Sequence, residues 1–278
     1  MLIGMRQNKF FGLFAVVPSS VHWFAAAIPF VLVLVIYFVA SDARHRDNPQ
    51  DKLLPTASQL VRAIEQVAFT EDRRTGKYLL WNDTASSLKR LVLGLGIAAV
   101  VGLMLGINIG LFPGFKAFSQ SALTFVSMVP PLAILPILFI VVGIDEVAKV
   151  VLIVIGVFPL IARDITLSVS KIPKQQLIKS MTLGASELDF AYRIVLPQIM
   201  PRLLDSLRLS IGAGWLFLIA SEAIASTDGL GYRIFLVRRY LAMDIIIPYV
   251  LWITFIGFAM DFGLRKTVIH FYPWYRKT

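Results

Sequence analysis

The residues with the most chemical potential in this chain are charged groups that interrupt long apolar runs. Arg163 and Asp164 are adjacent near the end of one run, and Arg202, Asp205 and Arg208 recur every third residue in another. An ionisable side chain inside a membrane is expensive, so each is a functional candidate. The spacing of Arg202, Asp205 and Arg208 places them on one helical side, where they can satisfy one another. Arg163 and Asp164 read as an interfacial anchor. Glu222 stands at the far end of its run and either holds the following loop or lines a gate. Residues 226–244 carry Arg233, Arg238 and Arg239. Such arginines favour an anionic solute at a mouth; surface solvation or docking of an acidic partner would use them equally well.

Other chemistries lack their residues. The chain has no cysteine, which removes disulfides, thiolate metal sites and cysteine nucleophiles. His22, His45 and His270 are scattered and show no metal-ligand spacing. There is no G-x-S-x-G nucleophile elbow and no G-x-x-x-x-G-K-[ST] phosphate loop. The expectation is a chain with no catalytic residue, no metal site and no cofactor of its own.

The elements that must position these charges follow from composition. Of 278 residues, 57% are hydrophobic and only 16% charged, and mean hydropathy is +0.75. Soluble domains are about 45–50% apolar and about 25% charged. The net charge of +10 fits basic residues flanking membrane spans and meeting anionic lipid headgroups, with no nucleic-acid partner. About 20 apolar residues cross a bilayer, and six stretches qualify: residues 21–40, 91–115, 117–144, 147–168, 197–221 and 245–260. The first follows Arg6 and Lys9 like a signal peptide, but its apolar run is longer than an ordinary signal h-region, so it reads as a retained span. The third contains MVPPLAILP over residues 128–136. Its prolines mean a broken helix beside a pathway or a plain packing kink.

Two polar segments separate the spans. Residues 41–87 hold a helical pattern of Leu60, Val61, Ile64, Val67 and Ala68, with Thr56 or Ser58 as cap, and TEDRRTGK over residues 70–77 reads as an exposed turn. In residues 171–196, Pro173 suits a first helical turn and Leu177, Ile178 and Met181 share a side. Gly184 then supplies a C-cap, and Ser186 with Asp189 a second helix start. This predicts helix, glycine bend, helix: a knob between two spans. Charge alone does not orient the chain, since Lys and Arg divide 14 against 13 between the two sides.

The string GASELDFAYRIVLP over residues 184–197 resembles the second half of the EAA loop of bacterial ABC importer permeases. Gly184, Ile194, Leu196 and Pro197 stand at the family's spacing. The first half departs: Ile178, Lys179 and Ser180 replace Glu-Ala-Ala, which puts the role of that glutamate in doubt. Further similarity runs over roughly residues 20–275. It includes Leu54 and Pro55, SSLKR at 86–90, VPPLAILP at 129–136, Leu207–Leu209 with Gly214 and Trp215, Ser221 with Glu222, GLGY at 229–232, and Pro273 with Trp274. These matches resemble the subgroup importing nitrate, sulfonate, taurine or bicarbonate.

The resemblance implies an all-α, polytopic permease fold of about six transmembrane helices. It implies one permease domain over residues 1–278: a first span at 21–40, a periplasmic segment at 41–87, and core spans within 88–268 that include a cytoplasmic coupling loop at 171–197. Coupling would run through Gly184, Ala185, Ser186, Glu187, Ile194, Leu196 and Pro197. Implied partners are two ATPase subunits carrying ATP and Mg, a second permease copy in a homodimer, a periplasmic or lipid-anchored solute-binding protein, and membrane lipid. The location implied is the bacterial cytoplasmic (inner) membrane, with both termini cytoplasmic. The pathway is expected along the third and fifth spans, at Ser127, Met128, Pro130, Pro131, Gly214, Ser221 and Glu222. The rival reading, an ATP-independent secondary transporter or channel, would call for an inverted repeat that the two halves do not show.

Overall fold

The computed structural model describes residues 19–49, 51–73, 75–224 and 226–275, without the side chains of residues 19, 20, 22 and 23. Arg6, Lys9, Arg74 and the His22 side chain, used above, lie outside the described residues. Among the described residues all regular structure is helical. The chain divides into two compact units at Arg62 and Ala63.

The first unit holds α1, Ser19–Asp47. Its apolar side chains, among them Phe30, Val33 and Ile36, are exposed, as suits a helix solvated by lipid. Past its end the chain is pinned by polar contacts. Arg44 Nε donates to Asp51 at 2.8 Å, and Ser41 Oγ donates to the Leu54 carbonyl at 2.8 Å. Thr56 and Gln59 exchange backbone-to-side-chain bonds, a capping box that starts α2, Ala57–Ile64.

The second unit begins as α2 gives way to a π turn, Glu65–Phe69. Of the expected apolar face, Val67 and Ala68 are buried, joined by Ala63, while Val61 and Ile64 ahead of the wider turn are exposed. A tight turn follows, with Asp72 N bonded to the Lys77 carbonyl, and then the bundle: α3 (Leu79–Leu111), α4 (Pro113–Met128), α5 (Pro131–Val141), α6 (Glu146–Val169), α7 (Lys174–Thr182), α8 (Glu187–Asp189), a π turn (Phe190–Val195), α9 (Leu196–Ile224), α10 (Leu230–Arg238) and α11 (Met243–Phe271). Among the described residues, five helices are long and apolar enough to cross a membrane, or six if the bent pair α4–α5 counts as one span.

The core forms where α3 and α6 press together. Gly94, Gly102, Gly106 and Gly110 of α3 face Ile153, Ile161, Ile165 and Val169 of α6 in turn. A Cβ at any of these glycines would lie within 2.8 Å of its partner side chain. The partner number rises with the glycine number, so the two helices run parallel. Between apolar helices in lipid, close packing rather than water exclusion drives association, and small residues permit it. The opposed side chains are stiff β-branched ones, which fill the grooves with little rotamer loss. On the other side α6 receives α9: a Cβ at Gly156 would strike the Phe217 ring.

Two elements depart from the expected spans. The second was expected from residue 91, where the charge-free run starts; α3 begins at Leu79, because its polar first turns are satisfied inside the protein. The third is two helices meeting at 95°. Val129 and Pro130 are extended there, and Pro130 and Pro131 bring no N–H, so the helical ladder cannot continue. The prolines therefore break the span rather than kink it.

Candidate functional site

The knob between α6 and α9 is built from local chemistry. Pro173 precedes α7, whose end is closed by Gly184 at φ +88°. The Gly184 N–H donates to the Met181 carbonyl at 3.0 Å and the Ala185 N–H to the Ser180 carbonyl at 3.1 Å. A Cβ on Gly184 would meet nothing within 4 Å, so backbone conformation, not space, demands glycine here. Ser186 caps α8: its Oγ accepts from the Asp189 N–H at 3.1 Å, and the Asp189 carboxylate accepts from the Ser186 N–H at 3.3 Å. The π turn then anchors the segment by burying Phe190, Ala191 and Val195. Ile194 and Leu196 pack partly against the same core. Glu187 and Pro197 are exposed.

The knob's outer face is apolar. Leu183 is 79% exposed and Leu188 62% exposed, with Ile178, Met181 and Tyr192 also open. Exposed large apolar side chains on a short polar connector form a patch suited to contact with another protein or with lipid. Beneath it lies a cavity of about 250 Å³ between Phe112 and Pro113 on one side and Leu177, Met181, Glu187 and Phe190 on the other.

The second feature is the broken span. An open groove of about 690 Å³ runs along α4, lined by Lys116, Gln120, Ser121, Thr124, Phe125 and Met128. Met128 is 74% exposed, Pro130 is exposed, and Ser127 and Pro131 are half-buried. The remaining expected pathway residues are elsewhere. Gly214 is packed inside, where a Cβ would sit 3.1 Å from Leu91 and from Leu95. Ser221 and Glu222 are fully buried. None of these three lines an open surface of the subunit.

Glu222 belongs to a polar network that sequence reasoning did not assemble. It accepts from Ser87 Oγ at 2.8 Å, from Arg90 Nη1 at 2.7 Å and from the Gly231 N–H at 2.9 Å. Arg90 also holds Glu146 and Asp228. Lys149 Nζ donates to Glu146 at 2.7 Å and to Ser226 Oγ at 3.1 Å. Nearby, Asp83 accepts from Arg233 Nε at 2.8 Å, from Tyr249 and from the Gly229 N–H. Gly229 has φ +114°, and a Cβ there would overlap the Glu222 carboxylate. Burial pulls the Arg233 guanidinium down, but the Asp83 carboxylate outweighs it and leaves its pKa above the ordinary value. Arg233 is thus a structural cation. Of the three arginines in residues 226–244, Arg238 and Arg239 remain exposed, with Arg238 5.0 Å from the Phe235 ring centre.

At the opposite end of α9 a second network forms. Arg202 Nε donates to Asp164 at 2.8 Å, and Ser206 Oγ joins the same carboxylate. Arg208 bonds Asp205 at 3.0 Å and Asp261 of α11 at 2.9 Å. The expected i, i+3 set is therefore half intact: Asp205 and Arg208 pair, while Arg202 reaches across to α6. With Asp164 engaged, Arg163 is separated from its neighbour's charge. It points outward to Ser127 Oγ, 3.4 Å away.

A parallel helical core, a span broken at two prolines and a capped apolar knob between spans define a membrane-embedded transport subunit. Comparison with known proteins gives its family. Residues 98–265 match the family described as binding-protein-dependent transport system inner membrane component. The taurine transport system permease protein TauC of Escherichia coli is 33% identical over 70% of this chain and 71% of its own length. The bicarbonate transport system permease protein CmpB of Synechococcus elongatus is 30% identical over 85% of this chain and 84% of its own. A solved inward-facing structure of the MetNI methionine ABC transporter superposes with a TM-score of 0.57 at 20% identity. That match covers 68% of this chain and 96% of the other, and shows a shared fold. The chain belongs to the binding-protein-dependent inner membrane component family. It is a multi-pass inner-membrane permease subunit of an ABC importer, a class that works with ATPase and solute-binding partners.

Proposed function

We propose that this permease forms the pathway for a small anion and couples it to two cytoplasmic ATPase subunits through residues 171–197. The observation that carries the coupling is the knob itself. Its conformation is fixed by Gly184 and by the Ser186–Asp189 cap, and its exposed face presents Leu183 and Leu188. The residues of the coupling surface are Gly184, Ala185, Ser186 and Glu187, with Ile194, Leu196 and Pro197 tying it to α9. That assignment puts the knob and both termini in the cytoplasm and residues 41–87 outside. ATP and Mg bind the partner subunits, since this chain carries no phosphate loop. A homodimer of permeases and a periplasmic or lipid-anchored binding protein complete the complex.

Support for the anion comes from the printed substrates of the relatives, taurine and bicarbonate. The pathway is assigned to the α4–α5 break, at Ser127, Met128, Pro130 and Pro131. The experiment is affinity purification of the tagged permease from its native membrane in mild detergent, followed by ATP-driven uptake in proteoliposomes. A stoichiometric P-loop ATPase and uptake that needs ATP and the binding protein are expected. Solute flux without ATP, from a preparation lacking any ATPase, would overturn the reading.

A further inference from the structure

We infer that Arg163, held beside Ser127 at the break between α4 and α5, is an anion-selecting residue of the pathway. The inference rests on the proposed reading of this chain as an importer of small anions.

Four observations converge. Arg163 lies within a helix that spans the membrane, six residues from its end, yet it is exposed. Its neighbour Asp164 is taken by Arg202 and Ser206 on α9. No salt bridge joins Arg163 to an acid among the described residues, and the hydroxyl of Ser127 is its hydrogen-bond partner. An uncompensated guanidinium is costly against lipid and is placed where water or a counter-ion reaches it.

The second observation is the break. Between Met128 and Pro131 the chain leaves the helix, so Arg163 and Ser127 sit where the membrane-embedded backbone turns by 95°. Irregular backbone at membrane depth occurs where it is covered by protein or lines a water-filled cavity. Third, the open groove along α4 ends next to this point, at Thr124, Phe125 and Met128, the last adjacent to Ser127 in the chain. Lys116, Gln120, Thr124 and Ser127 follow one another at spacings of four, four and three, which aligns them on one helical side. Fourth, residues 91–144 contain no Asp or Glu and one cation, Lys116. A groove with Lys116 at one end, hydroxyl and amide groups along it, and the Arg163 guanidinium beside its other end through Ser127 is complementary to a sulfonate or a bicarbonate and repels cations. Low-dielectric walls strengthen that selection.

The absence of native cysteine gives a direct test. Single Ser127→Cys and Met128→Cys variants are assembled with the ATPase and binding protein in proteoliposomes. Each is treated with sulfonatoethyl or trimethylammonioethyl methanethiosulfonate, and the two rates are normalised to those on a free thiol in solution. The anionic reagent, which carries a sulfonate, is expected to react roughly tenfold faster than the cationic one, the low end of charge focusing in a cleft. Adding Arg163→Gln should bring the ratio close to one, and Arg163→Lys should retain most of it.

Equal rates for both reagents, an unchanged ratio in Arg163→Gln, or no reaction at either cysteine would overturn the inference. The last result would mean that lipid or a second copy covers the site. Uptake separates this from the broader reading. If wild-type proteoliposomes import neither taurine nor bicarbonate, the proposed substrate class fails whatever the labelling shows. If they import either, and Arg163→Gln matches wild type in KM and rate, only the role of Arg163 fails.

Discussion

Arg90 and Glu222 meet at 2.7 Å across 132 residues of sequence, and neither side chain exposes more than 5% of its surface. Through this pair α3 grips α9 and, by way of Asp228 and Gly231, the connection that follows α9. A buried ion pair adds little net stability when formed, but breaking it strands a charge.

Arg90→Met should therefore destabilise the permease by about 3–5 kcal/mol, because Glu222 keeps its burial and loses its cation. Adding Glu222→Met should recover much of the loss. Thermal unfolding in detergent, read as Tm for both single variants and the double, checks it; a double variant as unstable as Arg90→Met would contradict the stranded-charge account.

Gly184→Val should leave the permease inserted and folded but loosen ATPase binding. A Cβ there meets no atom within 4 Å, so the cost is that of the left-handed backbone, about 1–2 kcal/mol, and is greatest for a β-branched side chain. Gly184→Ala should lie between the two. Co-purification of the ATPase at rising detergent or salt grades the series. Full association and transport in the valine variant would remove Gly184 from the coupling assignment.

Ser186→Ala removes the side chain that caps α8 and also bonds the Asp189 carboxylate. A lost N-cap costs about 1 kcal/mol, here confined to an exposed segment. The expected result is a Tm close to wild type with a measurably weaker hold on the ATPase. Ser186→Asp, which can still cap, should keep it.

Gly214→Leu should impair assembly, since even a Cβ would stand 3.1 Å from Leu91 and Leu95, and overpacking a tight core costs about 1–3 kcal/mol or more. Gly212→Leu, two residues away with nothing within 4 Å of its Cβ position, should be tolerated. Monodispersity by size-exclusion and uptake by the purified complex distinguish them.

Much of this architecture was legible in the residues. Apolar runs located the membrane helices, and Pro173, Gly184, Ser186 and Asp189 wrote out the knob, because caps and bends act over three or four residues. The ion pairs were not legible. Asp83, Ser87 and Arg90 looked like a polar lead-in to a span, and nothing near them in sequence says that Glu222 and Gly229–Gly231 will complete them. The same blindness set the second span to begin at residue 91, since a hydropathy window cannot know that Arg233, 150 residues away, will neutralise Asp83 in the first turns of α3. Arg202 likewise had a good partner at i+3 and took a better one on another helix. Long-range charge pairing is decided by which helices touch, and that is a property of the packed bundle rather than of any local stretch.

The run of glycines on α3 against β-branched side chains on α6 also limits how the subunit can move. Each glycine receives one specific branched side chain, and sliding either helix by a single residue would drive those side chains into backbone or into larger neighbours. The seam acts as a keyed shaft, resisting axial slip and twist, so α3 and α6 must travel as a single rod. The proline break between α4 and α5 has no such lock. Under the proposed coupling, force entering at the knob at the foot of α6 would pass along that rod rather than be lost as slip between the two helices.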